Sequence, residues 1–266
     1  MMLTFILGAC VGLVLGLTGA GGGILAIPAL TLGLGWSVTQ AMPIALLAVG
    51  SAALVGAVQG LRQGLVRYKA AATMAVAGWL VAPLGLYAAA RVSSTLLMTV
   101  FAVVMLVVAC RMYVPVRGAE HTSSTLQRNC MLDPATGRLD WNARCLATLV
   151  SIGGASGFFT GLLGVGGGFF IVPAFRKFSD VRMHGVVATS LMVVTLVSLG
   201  TLAHLFNQGV TLTWAGALFT VSALVGMIAG RLAAPNIPAP LLQQGFSLLC
   251  VGVSLMMLGR AFCGVG

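Results

Sequence analysis

The chain has 266 residues, of which 59% are hydrophobic and only 7% charged, with a mean hydropathy of +1.07. A soluble helical core is excluded, because too little charge remains to solvate an outer face. The net charge of +10 would suggest nucleic acid in a soluble protein, but in a chain this apolar it reports loop topology instead.

In chain order, residues 1–17 are apolar and lack the basic start of a cleaved signal. Leu7-Gly8-Ala9-Cys10 has the form of a lipoprotein cleavage box. The apolar stretch before it is short, however, and Gly8 and Gly12 recur in the second half as Gly153 and Gly157. Residues 16–30 then read GLTGAGGGILAIPAL, and apolar runs follow near 41–60, 70–90 and 94–110. Residues 112–144 hold Glu120, Asp133 and Asp140, the turn signal Asp133-Pro134-Ala135-Thr136-Gly137, and Trp141, which suits an interfacial anchor. The segment is too short for a domain and reads as a linker. Residues 161–175 read GLLGVGGGFFIVPAF, and further apolar runs lie near 184–206, 211–230 and 240–259. Each full run is close to the roughly 20 residues that cross a hydrocarbon core.

The two halves are copies of one unit. A gapless offset carries Gly16 to Gly161, Gly19 to Gly164, Gly21-Gly22-Gly23 to Gly166-Gly167-Gly168, and Pro28 to Pro173. It also pairs Gln63-Gly64 with Gln208-Gly209, both read as turns, and Gly85 with Gly230. Residues 1–17 and 24–34 are too short to make two spans, the second covering about 16 Å at 1.5 Å per residue. A re-entrant pair of half-helices meeting near Gly19–Gly23 is expected, with its equivalent in the second half. Irregular backbone at membrane depth is tolerated only inside protein or along a wet cavity. Helices starting after Gly23 and after Gly168 would point free N–H groups and positive dipole ends at one another, making an anion site without a buried cation. Gly22 and Gly167 are expected to line it at positive φ, where valine would be strained. The upstream ladder Gly8/Gly12/Gly16 reads as close helix packing.

Loop charge sets the orientation. Residues 31–40 are neutral, whereas the matching stretch carries Arg176, Lys177 and Arg182. Arg62, Arg67 and Lys69 are matched by a stretch without Lys or Arg. Equivalent loops with opposite bias imply inverted repeats. With each half made of one hairpin and three spans, all 14 Lys and Arg except Arg91 and Arg260 fall on one side. Both termini are then periplasmic and the linker cytoplasmic. The expected fold is an all-α polytopic membrane protein of two inverted repeats, 1–111 and 145–266, each a Gly-broken re-entrant hairpin plus three transmembrane helices.

Other chemistry is sparse. Thr189-Ser190 lies near the start of a span. Ser51, Gln59, Thr73, Thr195, Ser198, Thr201 and His204 lie in or near spans, and isolated hydroxyls there commonly bond back to their own backbone. His204 reads as interfacial. No expected span contains Asp or Glu, no nucleophile–base pair occurs, and no Gly-Lys-Ser/Thr follows either glycine cluster. The cysteines show no Cys-x-x-Cys, and Cys130 and Cys145 fall on the cytoplasmic side, so neither a disulfide nor a zinc site is expected. No enzyme activity, cofactor, metal or nucleic-acid partner is expected, and no segment specifies an oligomeric state.

The duplicated Gly-x-x-Gly-x-Gly-Gly-Gly segment with its following Pro, the paired Gly64 and Gly209, and Ala188-Thr189-Ser190-Leu191 resemble the TauE/SafE sulfite-exporter family. The resemblance covers nearly the whole chain outside 112–144. It implies a carrier of sulfur oxyanions or organosulfonates in a bacterial inner membrane, moving sulfite, sulfoacetate, thiosulfate or another small organic anion. The substrate contacts expected are Gly19, Gly21, Gly22, Gly23, Gly164, Gly166, Gly167, Gly168, Thr189 and Ser190. Met42-Pro43-Ile44-Ala45 stands where the second half has Val187-Ala188-Thr189-Ser190, so no matching polar contact is expected from the first half. The alternatives are a channel-like anion facilitator and a nontransporting membrane scaffold subunit.

Overall fold

A computed structural model describes residues 1–113, 130, 142–179, 181, 183–207, 209, 213–234 and 239–263. The charged and turn residues expected within the linker, and Trp141, lie outside these. The described chain is helical throughout. In the first half α1 (Met2–Thr18) passes through a 3₁₀ turn (Gly19–Leu25) into α2 (Ala26–Leu34), followed by α3 (Val38–Arg62), α4 (Tyr68–Arg91) and α5 (Ser94–Tyr113). The second half repeats the order with α6 (Ala143–Leu163), α7 (Gly168–Phe178), α8 (Met183–Asn207), α9 (Trp214–Ala233) and α10 (Ala239–Cys263).

Among the described residues α3, α4, α6, α8 and α9 are long and apolar enough to cross a bilayer. Their outward faces carry exposed Leu80, Leu84, Val221 and Val225, an arrangement that only hydrocarbon solvates well. Local chemistry fixes the helix ends. Ser37 caps α3 in a capping box with Gln40. Gly64 (φ 67°) and Gly209 (φ 84°) make the turns expected at those positions.

The first short pair doubles back. A Cβ on Gly23 would lie 3.4 Å from Leu15 Cδ1, and one on Gly33 would lie 3.4 Å from Leu7 Cδ2. As α2 advances, its neighbours on α1 therefore step backwards. In the second pair, Phe159 of α6 meets Phe169 and Phe170 of α7 at ring separations of 6.1 and 5.8 Å, closing the equivalent hairpin.

Small residues let the repeats interlock. On α1, Gly8 packs on Phe219 and Ser222, Gly12 on Ala223, and Gly16 on Met227, so α1 and α9 run parallel. On α6, Gly153 packs on Met74, Gly157 on Gly78, and Gly161 on Ala82. These contacts are the same pairs carried across by the repeat offset. Each leaves no room for a side chain, so the glycine ladder holds helix backbones together.

Equivalent helices, by contrast, pack antiparallel. Gly60 meets Ala188, Gly56 meets Leu191, and Gly50 meets Ser198 as α3 runs against α8. Ser247 donates to the Ala109 carbonyl at 2.9 Å, and Ser254 to that of Ala102 at 2.7 Å, as α10 runs against α5. Ser247 is the repeat counterpart of Ala102 and Ser254 that of Ala109. In both pairs, equivalent helices of the two halves run in opposite directions against each other.

One sequence expectation is corrected. Cys130 and Cys145 form a disulfide, with Cα atoms 4.8 Å apart. The Cys130 N–H also donates to the Phe178 carbonyl at 3.1 Å, so Cys130 is held against the end of α7. The absence of a Cys-x-x-Cys motif gave no hint of a pair brought together by α6 and α7.

Candidate anion site

Both glycine clusters break their helices, but differently. At the first, Gly19 alone takes a positive φ, 75°. The chain then continues in hydrogen-bonded 3₁₀ turns, the Ala26 N–H bonding to the Gly23 carbonyl. The free helix N-terminus expected after Gly23 does not form, because the 3₁₀ bonds of the break consume its N–H groups. Gly22 is not at positive φ either. It is a glycine because a Cβ would strike the backbone of Leu15.

At the second break Gly164, Gly166 and Gly167 all take positive φ, at 68°, 74° and 63°. Gly167 caps α7, and the first helical bonds run from Phe170 and Ile171 to its carbonyl, at 3.1 and 3.3 Å. The N–H groups of Gly168 and Phe169 thus precede the ladder and face outward from the helix start. Residues 163–169 are all buried, whereas Gly19 and Gly21 are half-exposed.

The two breaks meet near the middle of α3. A Cβ on Gly23 would lie 2.8 Å from Val49 Cγ1 and 3.4 Å from the Val165 carbonyl oxygen. A Cβ on Gly166 would lie 3.4 Å from the same Val49 atom and 2.9 Å from Val194 Cγ1, Val194 being the repeat counterpart of Val49. The reciprocal flanks also match, Gly19 touching Val187 and Gly164 touching its counterpart Met42.

Thr189 and Ser190 are buried, but their hydroxyls are committed elsewhere. The Arg67 N–H donates to the Thr189 hydroxyl at 3.1 Å, closing the turn into α4, and Ser190 donates to the Val187 carbonyl at 2.8 Å. The stretch meets the first break through the Val187 side chain, which lies against Gly19.

Three other hydroxyls lie at the second break, and that of Thr160, beside Gly167, donates to the Ser156 carbonyl at 2.7 Å. Ser156 Oγ packs under Gly167, and Ser198 Oγ would lie 3.2 Å from a Cβ on Gly166. Both serines are fully buried, and neither hydroxyl has a hydrogen-bond partner. Ser156 was hidden within a small-residue ladder, and Ser198 among hydroxyls expected to bond backward. The available signal was the repeat itself, since their counterparts are Val11 and Ala53.

Flanking the centre, a cavity of about 380 Å³ between α4 and α8 is lined by residues including Trp79, Leu86, Thr201 and His204. At the equivalent positions of the repeat, Arg231 stands for Leu86 and Gly56 for Thr201. There the guanidinium lies directly against Gly56, half-buried near the first break.

Broken helices from two repeats, meeting inside a lipid-facing helical bundle, define a polytopic membrane protein of the transporter type. The chain belongs to the sulfite exporter TauE/SafE family, whose model matches residues 4–257. It is 28% identical over 264 residues to a probable membrane transporter protein of Xylella fastidiosa (strain 9a5c), covering 97% of this chain and 95% of that one. It is 29% identical over 268 residues, with the same coverage, to a probable membrane transporter protein of the strain Temecula1. No solved structure matches it. The protein is a multi-pass membrane transporter.

Proposed function

We propose that this transporter exports small sulfur-containing anions, such as sulfite or sulfoacetate, across a bacterial inner membrane. The observation that carries the reading is the meeting of the two glycine breaks at Gly23, Val49, Val165 and Gly166. Next to Gly166, the free N–H groups and dipole at the start of α7 favour an anion, and among the described residues no carboxylate lies there to repel it. The buried second break favours a carrier that opens to each side in turn over a standing pore.

The antiparallel packing of α3 on α8 and of α5 on α10 supports inverted repeats, since a dyad perpendicular to spanning helices lies in the membrane plane. On this reading residues 1–111 and 145–266 are the repeats, 112–144 is a cytoplasmic linker, and both termini are periplasmic. Arg62, Arg67, Lys69, Arg176, Lys177 and Arg231 then face the cytoplasm and draw anions to that mouth. An anion leaving a negative-inside cell gains about 2.3 kcal/mol per charge per 100 mV, so export needs no coupled ion. The chemistry is translocation, not catalysis.

Liposomes loaded with sulfite and clamped with a potassium diffusion potential test this. Efflux should accelerate when the potential drives anions out of the cytoplasmic face and slow when it is reversed. Efflux indifferent to the potential and strictly dependent on a proton or sodium gradient would rule out uncoupled export.

A further inference from the structure

We propose that the anion is held at the second break alone, by the hydroxyls of Ser156 and Ser198 together with the first N–H groups of α7, while the first break is a packed support. The inference rests on the reading of the protein as an anion transporter and assigns its binding groups.

Its basis is the contrast between these two serines and their neighbours. On the same helices Thr160, Thr195 and Thr201 each return a hydroxyl bond to the carbonyl four residues back, at 2.7 to 2.9 Å. That back-bond is the ordinary resting place of a hydroxyl in an apolar helix. Ser156 and Ser198, both 0% exposed, forgo it and have no partner. A buried hydroxyl left unpaired is unfavourable, and its persistence calls for a ligand.

Position supplies the rest. Ser156 on α6 and Ser198 on α8 approach successive residues, Gly167 and Gly166, at the turn that opens α7. A helix N-terminus and two hydroxyls from different helices therefore converge on one turn. The two hydroxyls and the N–H groups can all donate, the Ser156 carbonyl beside them already accepts from Thr160 at 2.7 Å, and among the described residues no carboxylate or cation accompanies them. Such a cradle suits a small deprotonated oxyanion offering two or more acceptor oxygens on one atom, with Val49 and Val194 as its apolar wall. The first break has no equivalent. Val11 and Ala53 stand in the serine positions, and its helix start is consumed by 3₁₀ bonds.

The test uses full-length protein carrying Ser156→Ala, Ser198→Ala or both, with Ser151→Ala as control. The Ser151 hydroxyl is exposed on α6 and bonded to the Ala147 carbonyl. Sulfite is the probe, read by liposome flux and by the thermal midpoint in detergent. Without sulfite, the alanine variants should melt at or above the wild-type temperature, because no protein hydrogen bond is lost. The sulfite-dependent rise in midpoint should disappear in the double variant. Flux should fall by about tenfold or more, as expected on removing hydrogen bonds to a charged group. Ser151→Ala should match wild type in all three. Full flux in the double variant, or flux lost only in step with lost stability, would overturn the inference while leaving the anion reading intact. A wild-type protein that moves neither sulfite nor sulfoacetate would overturn both.

Discussion

The two glycine breaks share nearly the same residues, yet they are different structures. Gly19-Ala20-Gly21-Gly22-Gly23 winds on as a 3₁₀ helix with one left-handed glycine, half-exposed at its start and packed on Leu15 and Val49. Gly164-Val165-Gly166-Gly167-Gly168 breaks open with three left-handed glycines and is wholly buried, with two unpaired hydroxyls against it. A repeated glycine motif thus permits a break without specifying its form. The residues packed against it decide. Where Leu15 packs on the first break, Ser156 and Thr160 face the second, Ser156 standing at the repeat position of Val11.

The largest effect should come from Gly167. An alanine there meets a left-handed φ of 63° and a Cβ position already taken by Ser156, costing about 1–2 kcal/mol in backbone strain alone. Gly167→Ala should lose most sulfite flux, by more than about tenfold, the factor that 1.4 kcal/mol represents. Its closest first-break counterpart with room is Gly21, where the nearest atoms, those of Phe246, lie 3.9 Å from a built Cβ. Gly21→Ala should retain flux. Gly22→Val should fail by misfolding, since it drives into the Leu15 backbone, and fluorescence-detected size exclusion will distinguish that from blocked transport. Equal losses at Gly21 and Gly167 in folded protein would erase the contrast between the breaks.

The fold was largely legible because it is written in patterns that survive without side-chain detail. Apolar runs near 20 residues gave the helices, and the gapless offset gave the repeat. The short segments on either side of Gly19–Gly23 gave the hairpin. The site was legible only in outline. Identical glycines suggested equal breaks, whereas the form of each depends on contacts made by α3, α6 and α8. Thr189 and Ser190 drew attention as adjacent hydroxyls, but their bonds go to the Arg67 backbone N–H and to the Val187 carbonyl. Ser156 and Ser198 sit far apart in sequence and meet only when α6 and α8 close on α7.

A smaller effect is expected at Arg231, which sharpens the comparison between the two mouths. Its counterpart is Leu86, which lines the open cavity, so at this pair of positions the two repeats differ by one charge. Arg231→Gln removes an attraction of about 1 kcal/mol for an anion near 4 Å in water-like surroundings. The apparent KM for sulfite at the cytoplasmic face should rise by about fivefold with the maximal export rate unchanged. The salt dependence of that KM should weaken. A fall in maximal rate without a change in KM would place Arg231 in the moving parts rather than at the mouth.

The smallest effect on flux, and the most direct check of orientation, concerns Cys130 and Cys145. The bridge lies at the end of the molecule where α6 begins and α7 ends, beside Arg176 and Lys177. Loop charge assigns that end to the cytoplasm, where thiols are kept reduced, while a standing disulfide belongs to an oxidising compartment. If the charge governs, the pair is a dithiol in growing cells and closes on isolation in air, its side chains already adjacent. Alkylation of intact cells at low pH, followed by mass spectrometry, should then recover both cysteines as thiols. Cys145→Ser should leave sulfite flux unchanged. Closing a loop of 15 residues contributes about 3 kcal/mol, so oxidised protein in detergent should melt several degrees above the reduced form. Recovery of the pair as a disulfide from cells trapped the same way would move the linker to the periplasm. It would reverse the orientation of both repeats and with it the side from which Arg231 meets its anion.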